Sequence, residues 1–267
     1  MTAAQQIKRR IVDTSLGQVH VRSSDGEGRP LLMLHMSPRS SRMFERTQRL
    51  LKRPVYAPDR LGYGCSDAPA KQLVTLEEYA ANVLEVVDAL GIDGPFDVLG
   101  MHTGSLEAIE LAHLAPGQVH RCAVVALPVF TQHERTEMLQ KFATLRVVPA
   151  EDGSHLLDAW RARFQFRSPP YDLADVQQRL VDHLLAPWPG QAYAGVFRYD
   201  AEPRVRTLPV PLVVFAPDDD IAEVTQRSKP LVPAGTTWVD LKGFGVDLFT
   251  FTAQHMAQCI ERHLPAD

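Results

Sequence analysis

Ten residues, Phe96-Asp97-Val98-Leu99-Gly100-Met101-His102-Thr103-Gly104-Ser105, constrain the fold of this chain more than any other stretch. A short apolar run leads into glycines placed two residues before and two after His102, and the helical spacing of Leu106, Ile109, Leu111 and Ala112 follows. The order is strand, sharp turn, helix. Glycine at both flanking positions lets the backbone turn tightly and lets the helix pack close on the strand, which leaves the central side chain standing at the top of a sheet. His102 is therefore the expected centre of chemistry.

The rest of the chain supplies the sheet. Ile11–Thr14 and Gln18–Arg22 alternate around Ser15-Leu16-Gly17 as a hairpin, with His20 expected on its surface. Continuous apolar runs at Leu31–Leu34, Cys122–Leu127 and Pro211–Ala216 read as strands buried on both faces, with shorter strands from Val55 and at Thr236–Leu241. Thr75 and Glu78 form a capping box for a helix from Tyr79 to Leu90 that Gly91 closes, and Asp247 to Leu264 reads as a terminal amphipathic helix. From about residue 131 to 207 the alternation stops and helical, aromatic and proline-rich segments take over. The expected architecture is α/β: a mostly parallel eight-stranded sheet with helices on both faces, built from residues 1–130 and 208–267, with a helical cap at 131–207 inserted after the sixth strand.

Charge narrows the function. With 28 basic and 32 acidic residues in 267, nothing offers an electrostatic footprint for nucleic acid or for a membrane surface. No apolar run reaches the roughly 20 residues of a membrane span, and the N-terminus lacks an apolar signal core, so a cytoplasmic protein acting on a small molecule, as monomer or homodimer, is expected. Cys65, Cys122 and Cys259 are odd in number and widely spaced, which predicts buried free thiols and no zinc site.

Four blocks, in order, resemble the α/β-hydrolase superfamily over essentially the whole chain: Leu34-His35-Met36-Ser37-Pro38, the run from Ala57 to Asp67 with Gly62 and Gly64, Gly100-Met101-His102-Thr103-Gly104, and Val213 to Asp219. Ser37-Pro38-Arg39-Ser40-Ser41 and the helical insertion are similar to the cap-bearing branch of haloalkane dehalogenases, epoxide hydrolases and carbon–carbon bond hydrolases. The His-Thr-Gly elbow resembles a group of bacterial sequences of that fold. The resemblance implies an oxyanion hole from the backbone N–H groups of Thr103 and Ser37, with Met36 where a glycine is usual and His35 shaping the loop.

The departures decide the chemistry. The resemblance puts the family's nucleophile at His102, its acid at Asp219 (with Asp218 and Asp220 as rivals) and its catalytic histidine at Phe244, so serine and histidine are both missing. His255 falls inside the terminal helix and is read as a helix-face residue. An imidazole needs little tuning to act as a base at neutral pH. The expected activity is therefore hydrolase-like, on a small carbonyl compound, without a cofactor: His102 as general base beside the oxyanion hole, oriented by Asp219. The alternatives are a cofactor-free lyase, decarboxylase or dioxygenase-like enzyme, and an inactive pseudo-hydrolase that binds a small ligand.

Candidate substrate contacts are Met36, Arg39, Met101, Trp160 and Phe244, with Phe164, Phe166, Trp188, Tyr193 and Phe197 as further aromatic walls. Arg39 and Arg60 lie on loops at the functional edge, where an anionic substrate or bare solvent are the two readings, and His155 reads as a helix-start residue. Asp218, Asp219 and Asp220 have no histidine at a ligand spacing, so no metal is expected.

Overall fold

The computed structural model describes residues 5–69, 74–142, 144–164, 172–186 and 188–267. The strands are β1 (Lys8–Thr14), β2 (Gly17–Ser24), β3 (Leu31–Leu34), β4 (Val55–Pro58), β5 (Phe96–Met101), β6 (Val119–Val125), β7 (Leu212–Pro217) and β8 (Thr237–Leu241). Among them run helices α1 (Glu45–Gln48), α2 (Leu76–Ala89), α3 (Thr103–Leu114), α4 (Gln132–Phe142), α5 (Ser154–Ala162), α6 (Leu173–Leu185), α7 (Gln191–Arg198), α8 (Ala201–Arg206), α9 (Ala222–Arg227) and α10 (Ala253–His263). The strands form one sheet in the order β1-β2-β4-β3-β5-β6-β7-β8, with β1–β2 and β2–β4 antiparallel and every other pairing parallel.

Strand periodicity divides the core into two layers. Leu32, Leu34, Val98, Val124 and Val214 face the helices α2 and α3, whereas Leu31, Met33, Leu99, Met101, Val125 and Phe215 face Met43, Phe44 and α10. Helices therefore cover both faces, which is why the central strands carry unbroken apolar runs. In register, Leu34 pairs with Gly100, Met101 with Val125 and Val125 with Phe215, so the carboxyl ends of β3, β5, β6 and β7 lie side by side. The loops that leave these ends carry Ser37, His102 and Asp219.

Between β6 and β7 the described residues form helices α4 to α8 and no strand. Contacts that tie this excursion to the loops after β3 and β4 include Arg39 with Asp182 of α6, the Tyr63 hydroxyl donating to Pro189 O, and the Tyr193 hydroxyl donating to Ser37 O.

Several sequence expectations need correction. The terminal helix starts at Ala253 rather than Asp247, because Leu248 and Phe249 bury themselves from a turn ahead of it. Cys65 is exposed; only Cys122 and Cys259 are buried. His20 is buried rather than on the surface, its Nδ1 2.8 Å from Asp59 Oδ2. The same carboxylate accepts the amides of Ser41 and Cys65, so Asp59 organises the Gly-rich loop after β4 from within.

Candidate active site

The turn after β5 is a strained elbow. His102 has φ 50° and ψ −112°, a region that costs a non-glycine residue about 1–3 kcal/mol and survives only where the surroundings enforce it. Here they do: His102 N donates to Val125 O, Ser105 N to His102 O, and the Ser105 hydroxyl lies within bonding distance of Gly100 O and Val125 O. The flanking glycines are there for space. A Cβ on Gly100 would lie 1.9 Å from Gly104 O, and one on Gly104 would lie 2.1 Å from Leu34 O.

His102 reaches from this elbow to the loop after β7, with Nε2 2.8 Å from Asp219 Oδ2 and 3.9 Å from Asp220 Oδ1. The imidazole spans the gap that a shorter side chain would leave to a second histidine. Of the three acids, Asp218 is turned elsewhere, its Oδ2 accepting the Gly243 amide. An ionised carboxylate only accepts, so Nε2 carries the proton in this pair and Nδ1, which has no hydrogen-bond partner among the described residues, is left with its lone pair. Burial works against a charged His102, but the charge and hydrogen bond of Asp219, helped by Asp220, outweigh it and raise its pKa above the ordinary value. The spacing argument against a histidine partner for these acids fails in space: His102, Asp219 and Asp220 bring one nitrogen and two oxygens within 4.8 Å of one another.

Thr103 opens α3, so its N–H is one of the helix's four without an intrahelical acceptor. The peptide that carries the Ser37 N–H is held by its carbonyl: Met36 O accepts the Arg39 amide at 3.0 Å and His35 Nδ1 at 2.9 Å. Across a trans peptide the N–H then points the opposite way. His35 Nε2 accepts the Arg60 amide at 2.9 Å, so one imidazole is donor and acceptor at once, which requires it to be neutral. Burial, with the Arg60 charge second, depresses its pKa to about 3.

Stability should carry that signature. A histidine whose folded pKa lies below its unfolded one loses stability as pH falls from about 6.5 toward the folded value, and His183, lowered to about 4 by burial and Arg163, acts in the same sense. His102, raised, acts oppositely and adds stability at low pH. Urea unfolding at pH 7 and pH 5 should show a net loss at pH 5, with each lowered imidazole costing up to about 2 kcal/mol; His35→Asn should flatten the dependence. An unchanged midpoint would remove His35 from this role.

Arg60 and Arg39 are neither surface residues nor open anion receptors. Arg60, 7% exposed, forms a two-pronged pair with Glu107 of α3 and donates to Ser37 Oγ at 3.0 Å and His35 O at 2.7 Å. Arg39 Nε binds Asp182 Oδ2 at 2.9 Å. Met101 has no exposed surface and packs into the core behind the elbow, so it is not open to a ligand. Met36 and Phe244 pack on that same layer, and Phe244 stacks on His255 with centroids 4.3 Å apart and rings 4° from parallel. The aromatic side chain thus fills the loop where the missing imidazole is expected. Trp160 packs edge-on against Phe164, Tyr193 stacks with Phe197, and Arg146 lies over Trp188; Phe166 is outside the described residues. His155 accepts the Ala150 amide, a local helix-start contact.

Two groups escaped the sequence reading. Arg179 of α6 pairs with Asp175 and with Asp247 in the loop after β8, close enough to oppose protonation of His102. Glu107 shares a largely apolar helix with a second carboxylate, Glu110, and both are buried against arginines, Arg60 and Arg204. Two cavities lie away from the elbow: one is lined by Leu34, His35, Arg60, Tyr79 and Glu107, the other by Val74, Glu77, Gly195 and Arg198. The His102 side chain nonetheless keeps 12% of its surface exposed.

Comparison with known proteins identifies the family. Residues 31–251 match the model of the alpha/beta hydrolase family. A stretch of 107 residues is 34% identical to 2-hydroxymuconate semialdehyde hydrolase of Pseudomonas putida, covering 38% of this chain and 37% of that enzyme. Solved structures share the fold: a carboxylesterase from Bacillus subtilis (19% identity, 98% of this chain and 93% of that one, TM-score 0.76), an esterase from Thermogutta terrifontis (18%, 96% and 97%, 0.74) and an epoxide hydrolase from Vigna radiata (17%, 96% and 97%, 0.74). No helix among the described residues is long and apolar enough to cross a membrane. By its elbow, its sheet and a family match spanning most of its length, this chain belongs to the alpha/beta hydrolase family.

Proposed function

We propose that this protein is a hydrolase-like enzyme without a serine nucleophile, in which His102 is the general base acting on a small carbonyl compound. The observation that carries the reading is the Nε2–Asp219 contact, which orients the ring and leaves Nδ1 as the basic atom. In this reading Nδ1 takes a proton from water or substrate, the backbone N–H groups of Thr103 and Ser37 stabilise the oxyanion that forms, and the helices at 131–207 act as a cap that closes over the substrate. Asp219 keeps its proton acceptor role and stabilises the imidazolium. No step calls for a cofactor.

The base must be neutral to work, so kcat/KM should fall on the acid side with an apparent pKa above the free imidazole value of about 6.5. Asp219→Asn should move that limb to lower pH, because burial then acts on the imidazole with less opposition. A limb that stays in place would detach Asp219 from His102 chemistry. Turnover in ¹⁸O-labelled water separates the hydrolytic reading from a lyase or decarboxylase, since hydrolysis leaves one solvent oxygen in a non-exchanging carboxylate product, whereas CO2 and ketones acquire label only by exchange. A second reading, an inactive ligand binder, is favoured by two cavities that lie away from His102. It predicts no turnover across an ester, lactone and diketone panel.

A further inference from the structure

Cys65 has no histidine or second cysteine near it in the chain, but the spacing that speaks against a zinc site in sequence does not hold in the fold. One nitrogen of His20 in β2, one carboxylate oxygen of Asp59 after β4 and the Cys65 sulfur lie within 4.8 Å of one another. His20 and Asp59 are buried and Cys65 is exposed, so the cluster opens to solvent at the sulfur. The loop is built onto the carboxylate. Asp59 Oδ1 accepts the Ser41 amide at 2.6 Å, and Oδ2 accepts the Cys65 amide at 2.9 Å. Gly64, at φ 58°, permits this approach, since a Cβ there would lie 2.3 Å from Asp59 Oδ2. Ser66 closes the arrangement, its hydroxyl accepting from the His20 amide at 3.0 Å and donating to Asp59 O at 2.7 Å. Bonds of this kind hold a ligating carboxylate in place from behind.

We propose that His20, Asp59 and Cys65 form a structural site for a thiophilic divalent cation, zinc being the best match, with solvent water as the fourth ligand. The donor set selects the class of ion, because sulfur and imidazole suit zinc and its neighbours while calcium and magnesium prefer all-oxygen sites. Charge selects the valence: one carboxylate and one thiolate cancel a doubly charged ion where two of the three ligands are out of water. Zinc lies about 2.0–2.3 Å from its N, O and S ligands, which sets tetrahedral ligand atoms about 3.3–3.6 Å apart. That spacing falls between the 2.8 Å of His20 Nδ1 to Asp59 Oδ2 and the 4.8 Å that bounds the cluster. His20 and Asp59 part by about half an ångström and the exposed thiol swings in. The ion takes the place of the proton between Nδ1 and Oδ2, that proton passes to Nε2, and the thiol loses its own to solvent. Such a site joins β2 to the Gly-rich loop after β4 and is independent of the chemistry at the elbow.

The test is titration of the intact protein with cobalt(II) and then zinc(II). Cobalt reports the thiolate, because ligation through sulfur produces an intense near-ultraviolet charge-transfer band, whereas a cation held at the elbow by His102, Asp219 and Asp220 produces none. One sulfur-bound cobalt per chain is expected, displaced by zinc, with Tm rising as the site fills. Cys65→Ser, at an exposed position, should remove the band and weaken zinc binding by roughly 100-fold, and His20→Asn should weaken it to a similar degree. If His20→Asn does not fold, X-ray absorption of the native zinc complex reads the ligands directly and should give one sulfur with nitrogen and oxygen for the rest. No charge-transfer band, a band that His20→Asn leaves untouched, or two sulfurs per zinc, which would mean an ion bridging two chains, would overturn the site.

Discussion

Replacing His102 by alanine is expected to lower kcat by about 10²- to 10⁴-fold with little change in thermal stability. The size follows from what the imidazole does in the proposed reaction: it is the base proposed to act beside the Thr103 and Ser37 N–H groups, and removing a positioned general base costs a factor of this order. Stability should fall only modestly, because Asp219 loses a neutral donor rather than a cation and keeps the Ile221 amide, while the backbone strain of the elbow is the same for any residue that carries a Cβ. His102→Ser is the sharper control. It supplies the hydroxyl that a serine hydrolase would use, but Phe244, stacked on His255, stands where the activating imidazole is expected, so this variant should be as slow as the alanine one. Activity in His102→Ser near the native rate would show that chemistry runs through a nucleophile and a base elsewhere.

The elbow and the sheet were legible because each is written locally: glycines at fixed offsets, apolar runs, a capping box. The Asp219 contact was accessible only through the family frame, since 117 residues separate it from His102 in the chain. Arg39, Arg60 and His20 were misread for one physical reason. Their partners, Asp182, Glu107 and Asp59, come from distant elements, and a charged residue on a loop looks exposed until the fold supplies the opposite charge. Met101 was misplaced for the complementary reason: next to the elbow in sequence, it points by strand alternation into the layer behind it.

Glu107→Ala should destabilise the protein by about 3–5 kcal/mol, among the largest effects available from a single surface-remote substitution. Glu107 is 2% exposed and supplies both oxygens to Arg60, so its removal leaves a guanidinium buried under α2 and α3 with only neutral acceptors, Ser37 Oγ and His35 O, and the faces of Tyr63 and Tyr79. The loss belongs to the stranded charge rather than to the attraction itself. Arg60→Met combined with Glu107→Met should therefore be far more stable than Glu107→Ala, although short of the native protein because two loop acceptors lose their donor. Urea unfolding with an unchanged slope measures this directly. Additive single effects in the Arg60/Glu107 cycle would mean that the two side chains act independently. A strong coupling would identify this ion pair as what locks the Ser37 loop to the helix that begins at the elbow, fixing the two proposed oxyanion donors on one rigid unit.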